Sequence, residues 1–180
     1  MGNRIYLAAP LAPLNSADGT AVTATSLTDA SPAPQKVVQP DWLELGTILR
    51  LRARGEYTCG STATNLTIGF YWGGAAGAVS ICGVAGQALT VSQTAVPWWL
   101  EFEGEIRSLG ASGSIKGSGY LDLATSLTAS TRLPVPTTAA ARITTIDTTT
   151  RKILTVAGNV SQTVGAPAFT CYGLTAEILG

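Results

Sequence analysis

Three glutamates at every second position, Glu101, Glu103 and Glu105 in WLEFEGEIR, are the densest acid–base set in the chain. Three arginines, Arg50, Arg52 and Arg54 in LRLRARGEY, repeat the same spacing. On a β-strand, same-face neighbours stand about 6.5–7 Å apart. At that separation two carboxylates could act as the acid and base of glycoside hydrolysis, and three arginines could touch about three phosphates. Each set also has a plainer use. If the two strands are neighbours, opposite charges pair across them and penalise a one-residue slip of register. In that reading Arg50, Arg52, Arg54, Glu101, Glu103 and Glu105 align strands, either within one chain or across a subunit boundary.

The rest of the composition narrows the chemistry. The chain has no histidine, which removes Ser-His and Cys-His nucleophilic machinery, His-bearing zinc sites and the commonest general base. No glycine-rich loop stands between a strand and a helix, so neither a phosphate loop nor a dinucleotide fingerprint is available. We therefore expect no enzyme activity, no catalytic residue, no cofactor and no metal site. Eleven basic and eleven acidic residues give a formal net charge of zero. Proteins that bind nucleic acid through basic stripes carry a clear positive excess, and aromatic residues for base stacking are missing around RLRARG, so no direct nucleic-acid binding is expected. No uninterrupted apolar run approaches the about 18 residues of a membrane-crossing helix. In MGNRIYLAAPLAPLNSA, Pro10 and Pro13 interrupt what would be the apolar core of a secretory signal. Cys59, Cys82 and Cys171 are odd in number and widely spaced, which reads as reduced, buried thiols.

The elements that must position these residues are strands. LRLRARGEY sends Leu49, Leu51 and Ala53 to one face and the arginines to the other. NLTIGFYW aligns Leu66, Ile68, Phe70 and Trp72, and PWWLEFEGEIRSLG aligns Trp98, Leu100, Phe102 and Ile106 opposite Trp99 and the glutamates. Gly73-Gly74, the glycines of CGVAGQ, and LGASGS at 109–114 read as turns. SIKGSGYLDL returns from the last of these with Ile115, Leu121 and Leu123 on one face, its glycines marking a bulge or close packing. A Thr-rich stretch over 124–150 crosses the domain, and strands at 151–158 and 168–179 complete the set. No stretch carries a helical stripe. The fold expected is all-β, a two-sheet antiparallel jelly-roll sandwich over 36–180. Residues 1–35, with Pro10, Pro13, Pro32 and Pro34, form an extended N-terminal arm, within which 20–28 alternates well enough to add a strand to a sheet edge. Only 12% of the residues are charged, about half the usual share, which suits a surface partly covered by neighbours. Trp42 and Trp99 are candidate interface anchors, whereas Trp98 has the phase of the core.

Two resemblances bear on these residues. WLEFEGEI is similar to the Glu-x-Asp-x-Glu strand of laminarinase-like β-sandwich glycosidases, which would imply Glu101 as nucleophile and Glu105 as general acid, with Glu103 departing from the middle aspartate. The wider resemblance covers 36–180: LELGTILRLRARGEY, LTIGFYWGG, PWWLEFEGEIRSLG and GSIKGSGYLDL, following a Pro/Ala/Thr arm. In strand order and texture it resembles the jelly-roll accessory proteins in virions of tailed bacteriophages. That resemblance implies a non-enzymatic capsid decoration or cement subunit, homo-oligomeric with a trimer favoured. It would be made in the host bacterial cytoplasm and bound to the major capsid protein on the capsid exterior through its arm. Related sandwiches in tail and fibre subunits are the alternative.

Overall fold

Alternation of apolar and polar side chains sorts each strand into an inner and an outer face, and a computed structural model shows where those faces meet. It describes residues 37–73, 79–126, 128–161 and 168–180, preceded by three short strands. These are β1 (Arg4–Leu7), β2 (Leu14–Ser16) and β3 (Thr25–Ser26). The remainder of the arm expected at 1–35 lies outside the described residues, as does all but Thr25 and Ser26 of the strand expected at 20–28. The chain continues through β4 (Val37–Val38), a 3-10 turn at Pro40–Trp42, β5 (Ile48–Cys59), β6 (Asn65–Trp72) and β7 (Val79–Ala88). Next come the long strands β8 (Gln93–Ser108) and β9 (Gly113–Ser126), then β10 (Ala129–Val135), β11 (Ile143–Ile146), β12 (Lys152–Val160) and β13 (Ala168–Leu179).

The fold is all-β, with two antiparallel sheets. The larger runs β1-β13-β5-β8-β9-β10, with β11 also on β9 and β2 also on β13. The smaller runs β3-β12-β6-β7, with β4 also on β12. One core joins them, taking Leu49, Leu51, Trp98, Leu100, Phe102, Leu121 and Leu174 from the larger sheet and Leu66, Ile68, Phe70, Trp72 and Val156 from the smaller. These are the inward phases that the sequence alternation gives for β5, β6, β8 and β9. Trp98 is the largest fully buried side chain. Its ring stacks on Phe169 with centroids 4.7 Å apart, and its indole N–H donates to the carbonyls of Thr170 at 3.1 Å and Glu56 at 3.3 Å. Phe102 fills the space over Gly104 and Gly117, where an added Cβ would come within 2.6 Å and 2.5 Å of its ring. The glycines of GSIKGSG therefore serve close packing.

Two stretches differ from expectation. CGVAGQ is not a turn but part of β7. Gly83 sits opposite Gly69, and a Cβ on either would lie 2.5 Å from a backbone oxygen of the other strand, so the glycines let β6 and β7 approach. The crossing expected over 124–150 contains the end of β9 and all of β10 and β11. β10 is an edge strand exposed along most of its length, so it carries no apolar alternation and tolerates Pro134. Among the described residues no helix is long and apolar enough to cross a membrane. Cys59, Cys82 and Cys171 are all buried.

Candidate functional site

Because side chains alternate, the strands that bury Leu49, Leu100 and Leu174 must present their other residues together on the outer face of the larger sheet. The register arranges them in rows. One row runs Glu177, Arg50, Glu103, Ser118 across β13, β5, β8 and β9. The next runs Thr175, Arg52, Glu101, Tyr120, and ends on Pro134 of β10. A third runs Gly173, Arg54, Trp99, Asp122, and ends on Arg132. On the far side of the first row, Ile48 faces Glu105, which faces Lys116.

The two charge ladders thus meet within one chain, but one rung out of step. Arg50 closes on Glu103 at 2.7 Å and reaches Glu177 at 3.4 Å, so a single guanidinium ties three strands. Its hydrogen bond to Glu103, and then that carboxylate's charge, raise it above its ordinary value. Arg52 lies 3.6 Å from Glu101, an ion pair without hydrogen-bond geometry. Glu105 has no arginine opposite and pairs instead with Arg107 on its own strand at 2.9 Å. Arg54 has Trp99 opposite, and no ion pair holds it among the described residues. Trp42 is not part of this face: it is half-buried in the turn before β5 and packs on the core.

Aromatic residues complete the surface. Trp99 is 42% exposed and Tyr172 is 44% exposed. Tyr172 owes its position to a bulge: the register of β13 on β5 shifts between Cys171 and Gly173, which leaves Tyr172 as the extra residue on the outer side. Its hydroxyl is pushed above the ordinary tyrosine value, first by its hydrogen bond to Glu56 and then by partial desolvation. Tyr120 lies under the Arg132 guanidinium, 4.3 Å from its centroid, and Arg132 also holds Asp122 at 3.0 Å. Desolvation first, and then the hydrogen bond to Glu101, raise the Tyr120 hydroxyl. Among the described residues, shallow depressions open along this face, one of them a cleft of about 430 Å³ beside Arg54 with Trp99 and Tyr172 in its wall.

No protein-family model, curated protein or solved structure matches the chain. The surface must therefore be read from its own chemistry. Among the described residues no cluster of three His, Cys, Asp or Glu side chains could hold a metal ion. Burial raises the Cys59 and Cys82 thiols above their ordinary value, so neither is placed to act as a thiolate. The sequence pointed to Arg50, Arg52, Arg54, Glu101, Glu103, Glu105 and Trp99 on this face, and all seven are there. It missed Tyr172, Tyr120, Thr175 and Glu177. Alternation in AFTCYGLTAEIL carries the signal for Thr175 and Glu177, whereas the bulge that exposes Tyr172 leaves no periodic mark.

Proposed function

We propose that the chain is a non-enzymatic structural subunit of a tailed-bacteriophage virion, a jelly-roll decoration protein on the capsid exterior. One observation carries the reading. The described residues of the segment before β4 are short strands that add to sheet edges: β1 and β2 lie along β13, and β3 along β12. Adhesion by backbone hydrogen bonds along an edge is transferable, so the same segment can lie on the edge of another copy or of the shell protein. The outer face of the larger sheet supports the reading as well. Glu101, Glu103 and Glu105 each form an ion pair with an arginine, and the pairs of Glu101 and Glu103 join neighbouring strands, which suits a structural surface.

Electron microscopy of purified particles carrying a labelled subunit tests the location. We expect copies spread over the capsid, a trimer by analytical ultracentrifugation, and loss of particle binding when residues 1–35 are deleted from an otherwise folded chain. Copies confined to the tail would move the subunit to a tail role. A monomer absent from particles overturns the proposal.

A further inference from the structure

Where the charge ladders fall out of step, Arg54 stands between Trp99 on β8 and Gly173 on β13. With Tyr172, Glu101 and Thr175 they line the cleft of about 430 Å³. Two half-exposed rings therefore flank a guanidinium that has no ion pair among the described residues. Gly173 puts no side chain on the rung opposite Arg54, which leaves the floor between the rings open. We propose that this cleft binds a carboxylate-bearing saccharide, a uronic-acid unit of a polysaccharide.

Each part of the ligand has its partner. The guanidinium fork matches a carboxylate with two parallel N–H donors. The Trp99 and Tyr172 rings offer apolar faces, with polar tips, to the C–H face of a pyranose ring. Glu101 can accept from a sugar hydroxyl, and Thr175 can donate to or accept from one. The wall is mixed, with Trp99, Tyr172 and Ala53 beside Arg52, Arg54, Glu101 and Thr175, so apolar faces and orienting polar groups stand side by side as in a small-ligand site. A peptide is a poorer occupant, because extended peptides bind by adding to an open sheet edge. The cleft lies over β13, β5 and β8, and β5 has its two sides hydrogen-bonded to the other two. A nucleic-acid strand is poorer still, since the chain carries no net positive charge. The bulge at Tyr172 fits the same use, as bulges re-aim side chains next to functional sites. The proposal does not depend on where the subunit sits in a particle.

Calorimetry and ligand-observed NMR with the full chain test it, using tetragalacturonic acid, its methyl ester, and poly-glutamate as probes. We expect saturable binding of the acid below roughly 5 mM and binding of the uncharged ester about tenfold weaker. Arg54→Gln should weaken the acid about tenfold and leave the ester unchanged, and Trp99→Ala should abolish both. Both side chains are on the surface, and equal thermal midpoints of variants and parent would show that the fold is intact. Should Trp99→Ala fail to fold, Tyr172→Ala replaces it with the same expectation. The proposal is overturned by no saturable binding of the acid, by wild-type affinity in Arg54→Gln or the ring variant, or by poly-glutamate binding as tightly with the same dependence on Arg54.

Discussion

Gly55 and Trp98 make the sharpest prediction about the frame behind the outer face. A Cβ at Gly55 would fall inside the contact distance of the Thr170 carbonyl oxygen and 2.8 Å from the Trp98 indole. The same carbonyl accepts the indole N–H. Replacing Trp98 by Ala removes a fully buried ring, which costs about 3–5 kcal/mol, and a stacked partner for Phe169, worth about 0.5–1.5 kcal/mol beyond burial. The sum, about 5 kcal/mol, is a large share of the about 5–15 kcal/mol that stabilises a domain. At a urea dependence of about 2 kcal/mol/M it lowers the midpoint by about 2.5 M. Trp98→Phe keeps the stack and loses the N–H, so about 2 kcal/mol is expected. Gly55→Ala forces β5 away from β13 against backbone, which places it at or above about 3 kcal/mol, the upper end of overpacking. The obstacle is chiefly the Thr170 oxygen, so Trp98→Ala should recover less than half of the Gly55→Ala cost. Urea unfolding followed by far-UV circular dichroism measures all four variants. A Gly55→Ala cost under about 1 kcal/mol, or full rescue by Trp98→Ala, would refute the reasoning.

Three further outcomes follow from the same geometry. Glu103→Lys sets a like charge against Arg50, so its urea midpoint should lie below that of Glu103→Gln, and the gap should narrow in about 1 M salt, where the Debye length is about 3 Å. Asp147 accepts from Thr149 N–H at 2.9 Å, from the Thr149 and Thr150 hydroxyls at 2.6 Å and 2.9 Å, and from Lys152 at 3.0 Å, which hold it well below its ordinary 3.8, the Thr149 hydroxyl most of all. A depressed folded value stabilises above the unfolded one, so the midpoint gap between parent and Asp147→Asn should be constant from about pH 5 to 7 and shrink as the pH falls below about 4. Thiol titration with an aromatic disulfide should find Cys59, Cys82 and Cys171 silent in native protein and reactive in urea; prompt reaction of the native chain would contradict their burial.

What the sequence made legible was decided by exposure. β5, β6, β8 and β9 each have one buried face, so Leu49, Leu66, Trp98 and Leu121 could be placed by period alone, and with them the outward arginines, glutamates and Trp99. β7 and β10 escaped because neither alternates. Gly69 and Gly83 mark strand contact with the residue usually used for turns, and β10 is a polar edge. The single-rung offset of the ladders was hidden for another reason. Spacing fixes which residues share a face, but register depends on the whole set of inward contacts, and these set Arg54 opposite Trp99 in place of a glutamate. The cleft exists because of that offset and the bulge at Tyr172, neither of which is a property of one strand.

Arg50 and Glu177 are 127 residues apart in sequence and share an ion pair. In the order of synthesis, β8 can close on β5 as it emerges, and β9 on β8, while the other side of β5 waits for β13, about seventy residues after β8. At about 5–20 residues per second that interval lasts several seconds. Throughout it the nascent chain carries a twelve-residue strand with one open edge, the kind of edge that recruits strands from other chains. Arg50, Arg52 and Arg54 stand along it as gatekeepers, since two such edges would bring like charges together. The arginines that later knit the finished sheet would first keep half-made copies from joining one another.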